Sequence, residues 1–596
     1  MAWLREIPLW AILAFSAAIA VAYSPNVIHV FGIHTDYDNL YTRSPHFLHP
    51  EAEHLFAVAR PVAALFSNLT MLPVLSIGDY RWTRIFSIIM VCVLGAQMMG
   101  NCIQLLRVRT LDAVAVAIAT FVVPAFTYSV LVAAAWAPHL LTIFIAFGAY
   151  TCLGRSNLQS IPFLVYATRR DYPGLRIQFL KYASVRPVWI ACILYQLALY
   201  DYPPNALIIA VFPVIGILFS RAPRAYRTLL AARDIAFIGV NLVLYFVSVK
   251  LLYIPFARLF TAADSDPPAN MSAFLLRLTA GYRFKLDTDP VQILGRLRHL
   301  LGVAGDLWFM PQAHIRFLTG IVFLVAVAVA GAWVRHTRTV PMPARENGPR
   351  LRFGAWDSEG AVAVYITAAC FILAGAPVLA ASGGFVTYRT VAVSTAVAAI
   401  AFVYAIRSIV EIPSSRISKN TAAASTIADV ALALTIFAAV GSTLYTNYLT
   451  MRLARSEFAY FTAMAHQAID SKAKTIFLVD PRPIMLPEDI PVVYDQQGRA
   501  APPYELGCFS DYCIETGSIL HIAIEELGHS DREFTILTPQ GDEPVPGLTC
   551  AMLTGPAPTY PPNPNARSIA VIDHFRTLTP LMCVDYSLAA WHDLGL

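Results

Sequence analysis

Charge is scarce in this chain. Only 14% of its 596 residues are Asp, Glu, Lys or Arg, whereas 57% are hydrophobic. Soluble domains carry about a quarter charged residues, so an ordinary soluble globular protein is excluded. Disorder is excluded too, because apolar content is high and the net charge is only +5. The phosphate-cradling glycine loop is missing, as is a dinucleotide-binding glycine fingerprint between a strand and a helix. That argues against an ATP-driven pump and against a nucleotide-dependent enzyme. Charged residues are missing from the middle of most apolar stretches, which weighs against an ion-coupled transporter. An inverted repeat of broken helices is also missing.

What is abundant is apolar sequence in lengths that match a bilayer. Crossing a core of ~30 Å takes about 20 mostly apolar residues in a helix. Such stretches fall near 7–23, 84–100, 111–130, 137–153, 187–202, 204–220, 235–254, 317–334, 360–382, 389–406 and 425–448. The chain therefore reads as mainly α, a polytopic membrane protein with about eleven transmembrane helices. Pro124 and Pro138 interrupt one long run, and Asp201-Tyr202-Pro203-Pro204 marks a turn in another.

Lys and Arg collect in alternate loops. Arg107 and Arg109, then Arg155 to Arg186, Arg221 to Arg233, Arg335 to Arg352 and Arg407 to Lys419 all fall on one side. The positive-inside bias makes that side cytoplasmic and places the N-terminus there, in the cytoplasmic (inner) membrane. The basic excess thus has a topological cause, and no nucleic-acid partner is expected; the lipid bilayer is. Met1 to Tyr23 is read as the first membrane helix rather than as a cleaved signal.

This topology puts loops 24–83 and 255–316 outside, together with everything after residue 450. The chain divides into a transmembrane domain, 1–450, and a soluble extracytoplasmic C-terminal domain, 451–596. The latter begins as a helix over Met451–Ser471. Strand-like runs follow at Thr475–Val479, Ser518–Ala523, Phe534–Leu537 and Ile569–Ile572, so a small α/β domain on the outer side is expected. Cys508, Cys513, Cys550 and Cys583 all lie in it. Four cysteines in an oxidising compartment read as two disulfides, with chain order favouring Cys508–Cys513 and Cys550–Cys583. A zinc site is the competing reading.

The first outer loop holds the chemistry-bearing residues: His34-Thr35-Asp36-Tyr37-Asp38, then Arg43, Glu51, Glu53, His54 and Arg60. A carboxylate held at the membrane surface can act as general base toward a hydroxyl, while the plainer reading is a hydrated acidic loop. Residues 51–60 read as a short interfacial helix ended by Pro61. Tyr195-Gln196, Asp201, Trp308, His314, Arg316 and Tyr388-Arg389 come to the same membrane level. Each alone is a normal interfacial anchor; together, carboxylates and guanidinium groups at that depth suit a sugar hydroxyl and a lipid phosphate.

One membrane helix, then His34-Thr-Asp36-Tyr-Asp38, then a Glu51–Arg60 helix closing on Ala59-Arg60-Pro61, resembles the GT-C superfamily of polytopic membrane glycosyltransferases. With Tyr195-Gln196 in a mid-chain helix, the arrangement looks most like the bacterial glucosyltransferases that decorate O-antigen. The resemblance implies sugar transfer from a polyprenyl-phosphate donor to an envelope glycan or glycolipid acceptor at the outer face. It implies Asp36 as base, with Asp38 as its rival. Glu53, His54, Arg60, Tyr195, Gln196, Asp201, His314, Arg316, Tyr388 and Arg389 would then be substrate-binding, with Arg60, Arg316 and Arg389 facing the phosphate. No resident cofactor is implied with certainty, and a divalent cation stays open. A transporter or flippase of lipid-linked sugars, and a glycan polymerase or ligase, are the competing functions.

The cysteine reading is tested by thiol labelling of native protein. The four C-terminal cysteines should resist alkylation until reduced, and loss of one bridge should cost about 2–5 kcal/mol of stability.

Overall fold

The computed structural model describes residues 7–29, 74–131, 136–155, 186–222, 224–249, 251, 289–305, 359–380, 391–417, 421–471, 475–479, 493–494, 500–501, 516–529, 535–537 and 581–585. Gly32, Asp36, Leu40, Arg60 and a few nearby positions are described as well. Most of this is helix. In chain order the helices are α1 (Leu9–Tyr23), α2 (Pro25–Ile28), α3 (Tyr80–Gln104), α4 (Thr110–Phe121), α5 (Pro124–Leu131) and α6 (Trp136–Arg155). Then come α7 (Arg186–Asp201), α8 (Pro203–Ala206), α9 (Val211–Phe219), α10 (Arg224–Ser248) and α11 (Pro290–Gly305). The last long ones are α12 (Glu359–Ala380), α13 (Ala392–Ile417) and α14 (Thr421–Ser471). Each expected span overlaps one or more of these helices, except 317–334, which lies outside the described residues.

Among the described residues, four helical stretches are long and apolar enough to cross a membrane: Ile77–Gln104, Tyr226–Ser248, Val362–Leu379 and Thr426–Arg452. Their outward faces show why. On α10 the exposed side chains Val240, Val243, Leu244 and Val247 recur at helical spacing, as do Ile427, Val430, Leu434 and Phe437 on α14. In water, stripes of this size would drive aggregation; against acyl chains they are solvated.

The shorter apolar helices are buried for a different reason. Every described residue from Pro203 to Ser220 is buried, so this segment is apolar all round because protein surrounds it. The expected single span 204–220 is in fact three pieces: α8, a 3-10 turn over Leu207–Ala210, and α9. Pro213 has no N–H to offer the Ile209 carbonyl one turn back, and the helix tightens there. The span expected at 111–130 likewise divides into α4 and α5, with α5 restarting at Pro124.

Aromatic rings tie this centre together. Phe121 meets Phe15 (centroids 6.1 Å), Phe126 (5.3 Å) and Phe147 (6.5 Å). Phe147 meets Phe212 at 5.3 Å, and Tyr150 stacks flat on Phe212 at 3.9 Å. Close approach of α1 and α3 depends on Gly95. A Cβ there would lie 2.1 Å from the Phe15 ring, which is itself fully buried.

Helix α14 has 51 residues, so it is about 77 Å long, more than twice a bilayer core. Its last part, the helix expected at 451–471, carries the chain into the C-terminal elements. These are β1 (Thr475–Val479), β2 (Val493–Tyr494), β3 (Ala500–Ala501), α15 (Thr516–Glu526), β4 (Thr535–Leu537) and β5 (Leu581–Asp585). Strand β1 is central, parallel to β4 on one side and to β5 on the other. Parallel pairing requires a crossover, and α15 lies between β1 and β4 in sequence. The strand expected at 518–523 is a correction, because it forms the body of α15. The overlooked signal is Leu527-Gly528. Gly528 takes φ +81°, its N–H reaches the Glu525 carbonyl, and the His529 N–H reaches Ile524. That is a glycine helix stop, which a strand would not need. The run expected at 569–572 lies outside the described residues, as do Cys508, Cys513 and Cys550; Cys583 sits in β5, opposite Phe477.

Gly95→Ala should lower the melting temperature in detergent, at a cost of about 1–3 kcal/mol for an overfilled contact. Phe15→Leu, mildly destabilising alone, should recover part of that loss in the double variant, because the two positions share one space.

Candidate functional site

Polar side chains gather at the two ends of the helix bundle. At the end where α4 begins, Arg109 bonds Asp112 (3.1 Å) and both carboxylate oxygens of Asp429, while Arg407 pairs with Asp112. These four residues bolt α4, α13 and α14 together. The Asp429 bond first, then Asp112, hold the Arg109 guanidinium protonated more firmly than usual. Nearby, Arg233 and Asp234 form an ion pair at 2.6 Å, and the Tyr150 hydroxyl donates to Asp234 at 3.1 Å. All these groups are matched, which is the pattern of structural pins.

The opposite end is where the first loop enters. Asp36 is completely buried there. Its carboxylate accepts from Arg84 Nη2 at 3.4 Å, and its backbone carbonyl accepts from the Tyr80 hydroxyl. Tyr80 and Arg84 are one turn apart at the start of α3, so the helix presents both to the same segment. A carboxylate and a guanidinium that are both fully buried stabilise one another's charge and hold Asp36 against the start of α3.

A second cluster forms where α7 ends. Asp201 is fully buried, with Thr142 and Arg60 as polar neighbours. The Arg60 guanidinium lies over the Tyr202 ring, 4.7 Å from its centroid, a cation–π arrangement. On its other contacts Tyr202 meets the His139 ring at 4.2 Å, and His139 Nδ1 is 3.1 Å from the Ser129 hydroxyl. Asn205 donates to the His139 carbonyl at 3.4 Å. Above α7, the Tyr200 and Ser248 hydroxyls bond at 2.6 Å.

The expected site residues thus separate. Arg60, Asp201 and Tyr202 come together. Asp36 sits in its own ion pair with Arg84. Tyr195 is buried against Phe237 (5.4 Å), deeper in the bundle. Gln196 donates to the Asn241 side chain at 3.0 Å and to its carbonyl at 2.9 Å, joining α7 to α10. Asp38, Glu53, His54, His314, Arg316, Tyr388 and Arg389 lie outside the described residues. Arg84, His139 and Asn205 were not singled out from sequence. Arg84 stood at the edge of an apolar run, where an anchoring arginine is ordinary, and His139 followed a proline with no partner nearby in the chain. In the C-terminal part, α15 holds His521 half-buried, and burial pushes its imidazole pKa down. Among the described residues no three His, Cys, Asp or Glu side chains assemble as a metal ion would need.

A groove of about 470 Å³ opens beside the end of α1, lined by Pro25, Ile28, His29, Leu444, Tyr445 and Tyr448 among others. Arg455 Nη1 stands 3.2 Å from His29 Nδ1 at its rim.

Removing one partner of the buried Asp36–Arg84 pair should be costly. Arg84→Met should lose about 3–5 kcal/mol in detergent unfolding, and Asp36→Asn in the same chain should restore most of it. No known family, curated protein or solved structure matches the chain, so these side chains alone carry the functional argument.

Proposed function

We propose that this chain is a membrane glycosyltransferase of the GT-C kind. It moves a sugar from a polyprenyl-phosphate-linked donor to an envelope glycan or lipid acceptor at the outer face of the cytoplasmic membrane. In this reading the first-loop end of the bundle faces outward, and residues 451–596 form a soluble α/β domain on that side.

One observation carries the proposal. Two carboxylates, Asp36 and Asp201, are buried at the bundle end that the first loop enters, each with an arginine beside it. The groove lined by Ile28, Leu444, Tyr445 and Tyr448 opens at the same end, where tyrosine belts meet headgroups. A lipid-borne sugar presents its anomeric carbon at that depth, so base and cation belong there.

The chemistry follows from the groups. Asp36 or Asp38 takes the proton of the acceptor hydroxyl as that oxygen bonds to the anomeric carbon. The carbon–oxygen bond to phosphate breaks, and the phosphate leaves with the electron pair. An oxocarbenium-like transition state is expected for glycosyl transfer. Developing charge on the phosphate needs a cation, and Arg60, Arg316 and Arg389 are the proposed partners.

The test is transfer from purified polyprenyl-phosphate donor in liposomes, run beside a lipid-scrambling assay. Asp36→Asn should reduce transfer per folded molecule by roughly 10²–10⁴-fold, the usual contribution of a general base. Full activity in both Asp36→Asn and Asp38→Asn would remove the base from this loop. Scrambling by the unaltered protein with no transfer from any donor would instead establish a transporter of lipid-linked sugars.

A further inference from the structure

Buried acceptors without donors are rare in folded proteins, because each costs the hydrogen bond it gave up in water. Three sit together where α7 turns into α8. The Thr142 hydroxyl stands beside the Asp201 carboxylate without a bond of normal geometry to either oxygen, and Asn205 Oδ1 has no donor. Both residues are essentially inaccessible to solvent. The Asn205 amide is not free to turn its nitrogen toward Asp201, because that nitrogen is used on the His139 carbonyl at 3.4 Å.

The missing groups are donors, not acceptors. A metal ion would need more ligands than these, and no such set assembles among the described residues. A cationic ligand would meet Arg60, which already stands beside Asp201. Hydroxyl groups meet neither objection: each donates one hydrogen bond and carries no charge. Beside the acceptors lie two packed rings, Tyr202 and His139, with centroids 4.2 Å apart and planes tilted by 34°. Ser129 steadies His139 from behind at 3.1 Å. Acceptors next to aromatic rings suit a pyranose, which has hydroxyls at its rim and C–H groups on its faces. Arg60 lies across Tyr202 and is only partly buried, so its long side chain is the cover on the loop side.

We propose that Asp201, Asn205 and the His139–Tyr202 ring pair form a sugar-binding subsite, with Asp201 and Asn205 accepting hydrogen bonds from sugar hydroxyls. The assignment rests on the glycosyl-transfer reading for its biological use, but binding alone tests it. Asp201 and Asn205 are binding residues here, separate from the proton-accepting role given to the first loop.

The experiment uses the full chain in phospholipid nanodiscs free of sugar detergents. The probe is radiolabelled octyl β-D-glucoside below its micellar concentration, and the control is an octyl tetraoxyethylene ether, whose head has the same tail but almost no donors. Glucoside should bind saturably and raise the melting temperature, and the ether should not. Asp201→Leu and Asn205→Leu should each weaken glucoside binding by roughly 10- to 100-fold, as loss of a hydrogen bond to a buried or charged group does. Asp201→Leu should keep or raise the melting temperature of the unliganded protein, since it removes an unsatisfied carboxylate; a merely structural Asp201 would lower it. Equal glucoside binding by both variants and the unaltered chain would overturn the subsite and leave internal water as the partner of these acceptors. Failure of the unaltered chain to bind glucoside would overturn it as well. Saturable binding without any transfer activity would remove the glycosyltransferase reading and leave the subsite standing. Transfer with unchanged KM in both variants would do the reverse.

Discussion

Hydrocarbon offers no hydrogen bonds, and the arrangement of this protein depends on that constraint. Within the helices, threonine hydroxyls return to the carbonyl one turn back, as Thr120 does to Val116, Thr367 to Ala363 and Thr395 to Val391. Such bonds satisfy a polar group without a second element. Other polar groups are satisfied by specific contacts between helices. Tyr23 donates to the Phe121 carbonyl at 2.6 Å, and Asn447 donates to the Ala22 carbonyl at 2.8 Å, fastening α1 to α4 and α14. Ion pairs gather toward the ends, in the Arg109–Asp112–Asp429–Arg407 network and the Asp36–Arg84 pair.

Against that regularity the region around Asp201 is anomalous. Elsewhere a buried carboxylate has its guanidinium or hydroxyl in contact: Asp234 has Arg233 and Tyr150, and Asp36 has Arg84. Asp201 has Arg60 near and the Thr142 hydroxyl beside it, but no bond of normal geometry to either oxygen. An arrangement that stabilised only the folded chain would have no use for such a group, whereas one that binds a donor-rich ligand would. Proximity of Arg60 joins this cluster to the first loop, which carries His34, Asp36, Asp38, Arg43, Glu51, Glu53 and His54.

The long α14 links the bundle to the C-terminal sheet. Its bilayer-crossing stretch ends near Arg452, and the same helix continues to Ser471 before β1 begins. A continuous helix transmits position far better than a flexible linker does, so the C-terminal elements are held at a set distance from the membrane end of α14. Arg296 of α11 makes a comparable connection by donating to the Leu379 carbonyl at the close of α12, at 3.1 Å, where the helix dipole is negative.

Membrane character was legible in the chain itself, because bilayer thickness imposes a length on apolar runs and that length is a one-dimensional property. The strand Thr475–Val479 and the helix through Met451–Ser471 were legible too, each being set by local pattern. Apolar runs do not reveal what surrounds them, and so Pro203–Phe219 reads like a lipid-facing span although protein covers it on every side. The helix over Thr516–Glu526 escaped a reading based on β-branched residues because its stop signal, Gly528, lies past the run. Least legible were the pairings. Asp36 with Arg84, Arg60 with Tyr202, and Asn205 with His139 are set by which helices pack side by side. That choice is made by the fit of buried surfaces such as Gly95 against Phe15, which leaves no periodic mark in sequence. The residue types at the site are a property of the chain; their partners, and the acceptors left without one, were decided by tertiary packing.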